Sequence, residues 1–269
     1  MTIPDVSNKS LRNLVSLEGR SAVVTGAARG LGRAIAQRLV EAGASVLLGD
    51  IDQDLLETTL HALKHAAAGR VLATRLDVSN SVSIAGAADL AVAELGGIDI
   101  WVNNAGIYPL SPVLQMSDSD WDKVLDINLR GTFIGAREAA KRMVAGGRKG
   151  VIINLSSTSG LNGGGPSITH YVAAKHGVIG VTKQMALELA EHRIRVLAVA
   201  PGVIVTEGVR EAANGPTAAA RFELDTQVSM LGRAGVPDDV ARVVLFCASD
   251  LSIFMTGSTL LVDAGALTH

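Results

Sequence analysis

The chain of 269 residues is 48% apolar and carries a net charge of −2, with a pI near 6.3. That length and apolar content suffice for one α/β domain with a sizeable core, while the balanced charge offers no basic face for nucleic acid or an anionic membrane. The single cysteine, Cys247, lies in the apolar stretch 243–248, which excludes an internal disulfide and reads as core packing.

Residues 1–16 mix Ser, Asn, Pro and charge and are expected to form a mobile or loosely docked extension without the apolar block of a signal peptide. No apolar run reaches the ~18 residues of a membrane span. A cytoplasmic location is the default expectation. From residue 17 to 269 one domain is expected, in which strand-like runs at 22–25, 45–49, 71–76, 98–102, 151–155, 195–199 and 259–262 alternate with helical stretches. This alternation predicts an α/β fold, a doubly wound parallel sheet of seven strands covered by helices on both faces. Ligands on such sheets bind beyond the carboxyl ends of the strands. Gly26, Asp50, Asp77, Asn104, Ser157 and Pro201 all follow a predicted strand directly. Residues 206–231, polar and alanine-rich, read as a small helical lid over that rim.

Two strings carry the chemistry. Thr25-Gly26-Ala27-Ala28-Arg29-Gly30-Leu31-Gly32 stands between the first strand and a helix, where missing side chains let a pyrophosphate approach backbone N–H groups and the helix N-terminus. The same glycines also suit close helix-to-strand packing. Asp50 ends the second strand 24 residues after Gly26, the place for an acid that accepts hydrogen bonds from an adenosine ribose. Its charge opposes a 2′-phosphate. Tyr171-Val172-Ala173-Ala174-Lys175 puts a phenol and an ammonium on one helical face. A free phenol, with pKa ~10, is a poor proton acceptor at neutral pH. An ammonium within ~4 Å at an effective dielectric of ~20 contributes on the order of 4 kcal/mol, which would bring Tyr171 toward working pH.

These strings, with Asn103-Asn104-Ala105-Gly106, Asp126-Ile127-Asn128-Leu129, Ser156-Ser157 and Pro201-Gly202-Val203-Ile204-Val205-Thr206, resemble the short-chain dehydrogenase/reductase family over nearly the whole chain. The resemblance implies a Rossmann-type fold and hydride transfer between a secondary alcohol or ketone and a nicotinamide cofactor, with no metal. It implies catalytic roles for Asn128 (holding a relay water), Ser157 (orienting the substrate), Tyr171 (proton transfer) and Lys175. It places the cofactor against Gly26, Arg29, Gly30, Leu31, Gly32, Asp50, Ile51, Asp77, Val78, Asn104, Ala105, Gly106, Tyr171, Lys175, Pro201, Gly202, Val203 and Thr206. The substrate falls against Ser157, Ser159, Asn162, His170 and Tyr171.

Asp50 favours NAD over NADP, although Arg29 resembles the basic residue of NADP-using relatives. Asp77 has a second reading, as the cap of the following helix. His170 has one as a cap or pocket wall. Leu197 stands where the family often has asparagine. Polar residues at Asn162, Ser167, Thr169, His170, Glu207 and Arg210, with only 3% aromatic content, favour a small polar alcohol, sugar or polyol. An NADPH-dependent 3-oxoacyl carrier-protein reductase is the alternative, and an NAD-sensing protein without turnover a remote one. The family usually assembles as homodimers or homotetramers through the helices around 117–145 and 170–192, where Ile134, Met143, Val181 and Met185 are surplus apolar positions.

Overall fold

Aliphatic and β-branched runs form seven parallel strands in the computed structural model, which describes residues 3–65, 67–207 and 229–268. They are β1 (Ser21–Thr25), β2 (Ser45–Asp50), β3 (Val71–Arg75), β4 (Ile100–Asn103), β5 (Val151–Leu155), β6 (Arg195–Pro201) and β7 (Thr259–Val262). The sheet order is β3-β2-β1-β4-β5-β6-β7, so the winding reverses between β1 and β4. This is the switch point at which α/β sheets open a crevice. The predicted fold class holds, with strand ends shifted by one or two residues.

Alternate side chains feed two cores. Ala22, Val24, Val46, Leu48, Ile100 and Val102 pack with α2 (Gly30–Glu41), α3 (Gln53–Lys64) and α8 (Pro237–Ala248). Val23, Leu47, Trp101, Ile152 and Val196 pack with α4 (Ser81–Leu95), α6 (Gly131–Ala145) and α7 (Thr169–Leu189). Both faces are thus covered, and strands buried on both sides read as unbroken apolar runs. Leu197 is fully buried in the first core, and Cys247 lies there too. A polar chain crosses the second: Trp101 Nε1 donates to Asn103 Oδ1 at 2.7 Å, Asn103 Nδ2 to Asn154 Oδ1 at 2.9 Å, and Asn154 Nδ2 to Thr182 Oγ1 at 2.9 Å. With each buried group paired, it fixes the register of β4, β5 and α7.

The surplus apolar positions of these helices belong to the chain's own core. Ile134, Met143 and Met185 are buried there and Val181 packs against them. The large apolar residues these helices do expose are Phe133, Val144 and Leu187. The helix expected over 117–145 is also divided: α5 (Asp118–Leu125) passes into a π-helical turn, Asp126–Arg130, before α6. At the chain's start, α1 (Leu11–Val15) is capped by Ser10, and Lys9 Nζ meets Asp250 Oδ2 at 2.7 Å, tying the segment to the far end of the sheet. Of the expected lid, 208–228, Arg210 included, lie outside the described residues. Among the described residues no helix is long and apolar enough to cross a membrane.

Candidate active site

The glycine turn after β1 is built by three different demands. Gly26 has φ +65°, and a Cβ there would lie 2.8 Å from Ala105 Cα. A Cβ on Gly32 would run into the Gly26 carbonyl. Those two glycines let the turn close on itself and on the loop after β4. Gly30, at φ +56°, is the least crowded of the three; a Cβ there would make ordinary contact with the Thr206 side chain at 3.5 Å. The pyrophosphate clearance expected of all three glycines therefore falls to Gly30, which opens α2 without a side-chain cap. Backbone left uncovered at a bare glycine and at a helix start without a side-chain cap suits a diphosphate.

The loop after β4 holds this turn from below. Thr25 Oγ1 accepts from the backbone N–H of both Asn104 and Ala105, each at 3.0 Å, while Asn104 Nδ2 donates to the Thr25 and Gly26 carbonyls. Asn104 thus spends its side chain on the cradle's backbone. Asp50 sits at the rim with both oxygens engaged: Oδ2 accepts from Ala28 N–H at 2.9 Å and Oδ1 from Asp52 N–H at 3.0 Å. Beside it Ile51 is exposed. Asp77 Oδ1 accepts from the hydroxyl and N–H of Ser79. The Ser79 hydroxyl bond is the main reason its carboxyl stays below the usual range. Asn80, not Asp77, caps α4, so the capping alternative for Asp77 does not hold. Val78 offers its carbonyl to the close approach of Gly131.

Along the crevice, Ser157, Tyr171, Lys175 and Asn128 converge. Ser157 Oγ caps the turn Thr158–Gly160 by accepting from Ser159 N–H at 3.1 Å. The same hydroxyl lies beside the Tyr171 phenol, where it favours the ionised form. Its neighbour Ser156 is buried and donates to the Lys175 carbonyl at 3.0 Å, which leaves Ser157 as the serine facing the phenol. Asn128, fully buried in the π turn, accepts from Ile107 N–H at 3.1 Å and donates to the Ile107 and Val124 carbonyls. A π turn adds a residue to the helical ring, which aims this side chain inward. A Cβ on Gly106 would press on Asn128 Oδ1 and stand 3.8 Å from Lys175 Nζ, so the loop after β4 is seated against both.

The electrostatics differ from the sequence expectation. Lys175 Nζ stands 5.5 Å from the Tyr171 ring centre and donates to the Leu155 carbonyl at 2.7 Å. Burial raises the phenol to about 12, against the lowering effect of the Ser157 bond. Burial also lowers the ammonium to about 8. In this arrangement desolvation outweighs cation–phenol attraction, and Tyr171 is not brought near neutral pH. The structure gives Tyr171 a proton to donate.

A stability prediction follows from Lys175. Its folded pKa lies below its unfolded value of ~10.5, so between about pH 8 and 10.5 the unfolded chain binds more protons and stability rises with pH. At pH 7 the buried ammonium is a net cost, only partly offset by its bond to Leu155. Lys175→Met should unfold about 1–2 kcal/mol harder than wild type at pH 7, with the difference closing toward pH 10. Denaturant titrations at both pH values check this. A variant weaker than wild type at pH 7 contradicts it.

Two tyrosines are present in the whole chain, and both are here. Tyr108, two residues past the Asn-Asn-Ala-Gly string, meets the Tyr171 ring edge-on, with centroids 6.0 Å apart and planes at 61°. Sequence reasoning passed over it, and its place just after a rim motif was the available signal. Leu110, Val113 and Leu114, which follow Tyr108 in the chain, and Leu161, which follows the Ser157 turn, are exposed. His170, by contrast, is fully buried. Its Nδ1 accepts from Tyr171 N–H at 2.9 Å, which puts the ring proton on Nε2, where no partner is found among the described residues. Its imidazole is enclosed and does not face the crevice. Asn162 is exposed, with Oδ1 on Gly163 N–H at 2.8 Å.

A family model described as enoyl-(acyl carrier protein) reductase matches residues 26–267. The chain belongs to the short-chain dehydrogenase/reductase family. Among curated relatives, it is 39% identical to 3beta-hydroxysteroid dehydrogenase 1 of Eggerthella lenta over 93% of this chain and 94% of that one. It is also 39% identical to a 3-oxoacyl-[acyl-carrier-protein] reductase of Thermotoga maritima, covering 93% and 98%. A 2-dehydro-3-deoxy-D-gluconate 5-dehydrogenase of Escherichia coli is 38% identical, covering 94% and 98%. A crystal structure of a short-chain type dehydrogenase/reductase from Mycobacterium marinum superposes with a TM-score of 0.91 at 36% identity, over 97% of this chain and all of that one. The protein is accordingly an NAD(P)-dependent oxidoreductase acting on CH–OH groups.

Proposed function

We propose that this short-chain dehydrogenase/reductase interconverts a small polar secondary alcohol, such as a sugar, sugar acid or polyol, with its ketone, using NAD in preference to NADP. The observation that carries the reading is the convergence of Tyr171, Lys175 and Asn128, with Ser157 beside the phenol, on the same rim of the sheet as the glycine turn. Hydride exchange is the chemistry that a bound nicotinamide dinucleotide supplies. In ketone reduction Tyr171 hands its proton to the carbonyl oxygen while Ser157 holds that oxygen in register, and alcohol oxidation reverses the transfer. Lys175 places positive charge beneath the phenol and meets the cofactor's ribose. Asn128 fixes the Ile107 backbone over the site and holds the relay water.

When bound, the diphosphate would be held at Gly30 and Leu31 on a turn that Gly26 and Gly32 close. The ribose would meet Asp50, with Arg29 and Ile51 at its edge, and the adenine would meet Asp77 and Val78. Asn104, Ala105 and Gly106 would form the floor, and Pro201, Gly202, Val203 and Thr206 would flank the nicotinamide. Ser157, Ser159, Asn162 and Tyr171 face the substrate. The chain works in the cytoplasm as one domain with its short N-terminal extension and assembles into a homodimer or homotetramer.

The identity to the Thermotoga maritima reductase favours a second reading, reduction of 3-oxoacyl thioesters with NADPH. The test is initial rates with NAD and NADP against sugar acids, polyols, hydroxysteroids and 3-hydroxyacyl thioesters. The highest kcat/KM is expected with NAD and a sugar acid or polyol. A preference for NADP and the thioester hands the function to the second reading, and a preference for the steroid removes the polar substrate class.

A further inference from the structure

The cofactor turn is anchored by a residue far from it in sequence. On α3, the residues facing the core are Leu56, Thr59, Leu60 and Leu63. A threonine among leucines is out of pattern, since a buried hydroxyl must find a partner. Helical threonines usually satisfy it on their own preceding turn, as Thr58 does by donating to the Asp54 carbonyl. Thr59, 1% exposed, instead donates across to the Ala28 carbonyl at 2.7 Å.

That bond completes a set. Ala27 N–H donates to the Gly49 carbonyl at 3.1 Å, Ala28 N–H to Asp50 Oδ2 at 2.9 Å, and the Ala28 carbonyl receives Thr59. Three peptide planes in succession are thus held by β2 and α3 immediately before Arg29 and Gly30. In a trans peptide, C=O and the next N–H point in opposite directions. Drawing the Ala28 carbonyl into the core therefore turns the Arg29 N–H outward, toward the mouth of the turn. The Ala28 N–H is also what orients the Asp50 carboxylate, so a loosened Ala28 disturbs both the turn and the acid.

We propose that Thr59 is a positioning residue for the dinucleotide, acting through Ala28 to set the affinity for NAD and the discrimination against NADP. This rests on the assignment of the turn and Asp50 to the cofactor. The test is calorimetric Kd for NAD and for NADP on wild type, Thr59→Val, Thr59→Ser and the neighbouring control Thr58→Val, alongside KM for NAD. Thr59→Val should bind NAD about fivefold more weakly, the net worth of one buried hydrogen bond. NADP should lose less, so that the NAD:NADP ratio narrows, and the loss should fall mainly on KM.

Thr59→Ser keeps the hydroxyl and should recover at least half of the effect, while Thr58→Val should match wild type. If Thr59→Val does not fold, Thr59→Ala is read in the same way. A Thr59→Val protein with wild-type Kd and ratio overturns the proposal. Equal loss for both dinucleotides with no rescue by serine also overturns it, since Thr59 would then be ordinary core. A wild type that binds neither dinucleotide sinks the underlying assignment instead.

Discussion

Tyr171→Phe should lower kcat by at least about a hundredfold, the usual contribution of a positioned proton-transfer group, while leaving NAD affinity within a few fold. The ring keeps its edge contact with Tyr108 and its place above Lys175. What is lost is one hydroxyl beside Ser157, and its proton. The pH profile separates this from a packing defect. With the phenol held up at about 12, wild-type alcohol oxidation should climb with pH through the neutral and alkaline range as the proton-accepting form grows, while ketone reduction, which uses the protonated phenol, should stay level over that range. Any residual rate of the phenylalanine variant should be flat over the same range. Retention of more than about a tenth of the wild-type kcat would remove Tyr171 from proton transfer.

The sheet was legible because strands buried on both faces announce themselves as unbroken aliphatic runs, and the seven runs needed only end adjustments. Motif positions on the crevice rim were legible for the same reason, since each closes a strand. What a linear reading could not weigh was burial. It treated Tyr171 and Lys175 as charges separated by a helical turn, whereas enclosing both groups pushes them apart in pKa. It left the turn glycines open between pyrophosphate clearance and close packing, and the fold divides them: Gly26 and Gly32 answer to contacts with Ala105 and with each other. Surplus apolar positions on α6 and α7 likewise could not be divided between core and surface without knowing that α4 shares the same face. His170 and Tyr108 show the remaining gap: the sequence places both near the phenol, and only the fold decides which is sealed in and which faces the opening.

Cofactor choice should turn on Asp50. Replacing it with serine should lower kcat/KM for NAD by roughly ten- to a hundredfold, the worth of charge-assisted hydrogen bonds to a ribose. The rate with NADP should hold or rise, because a repulsive carboxylate is removed from beside exposed Arg29. The structure adds a complication that the position in sequence does not reveal. Both Asp50 oxygens already accept backbone N–H groups, from Ala28 and Asp52, so the carboxylate shapes the cradle as well as facing the ribose. Asparagine is no cleaner a replacement, since its amide would set a donor against one of those two donors. The two roles separate in the ratio of cofactors: loss of charge repulsion moves NAD and NADP in opposite directions, whereas a slackened turn weakens both. Measuring kcat/KM with each cofactor on wild type and Asp50→Ser decides between them. An equal fall for both would leave Asp50 as a strut of the turn and transfer the discrimination to another residue.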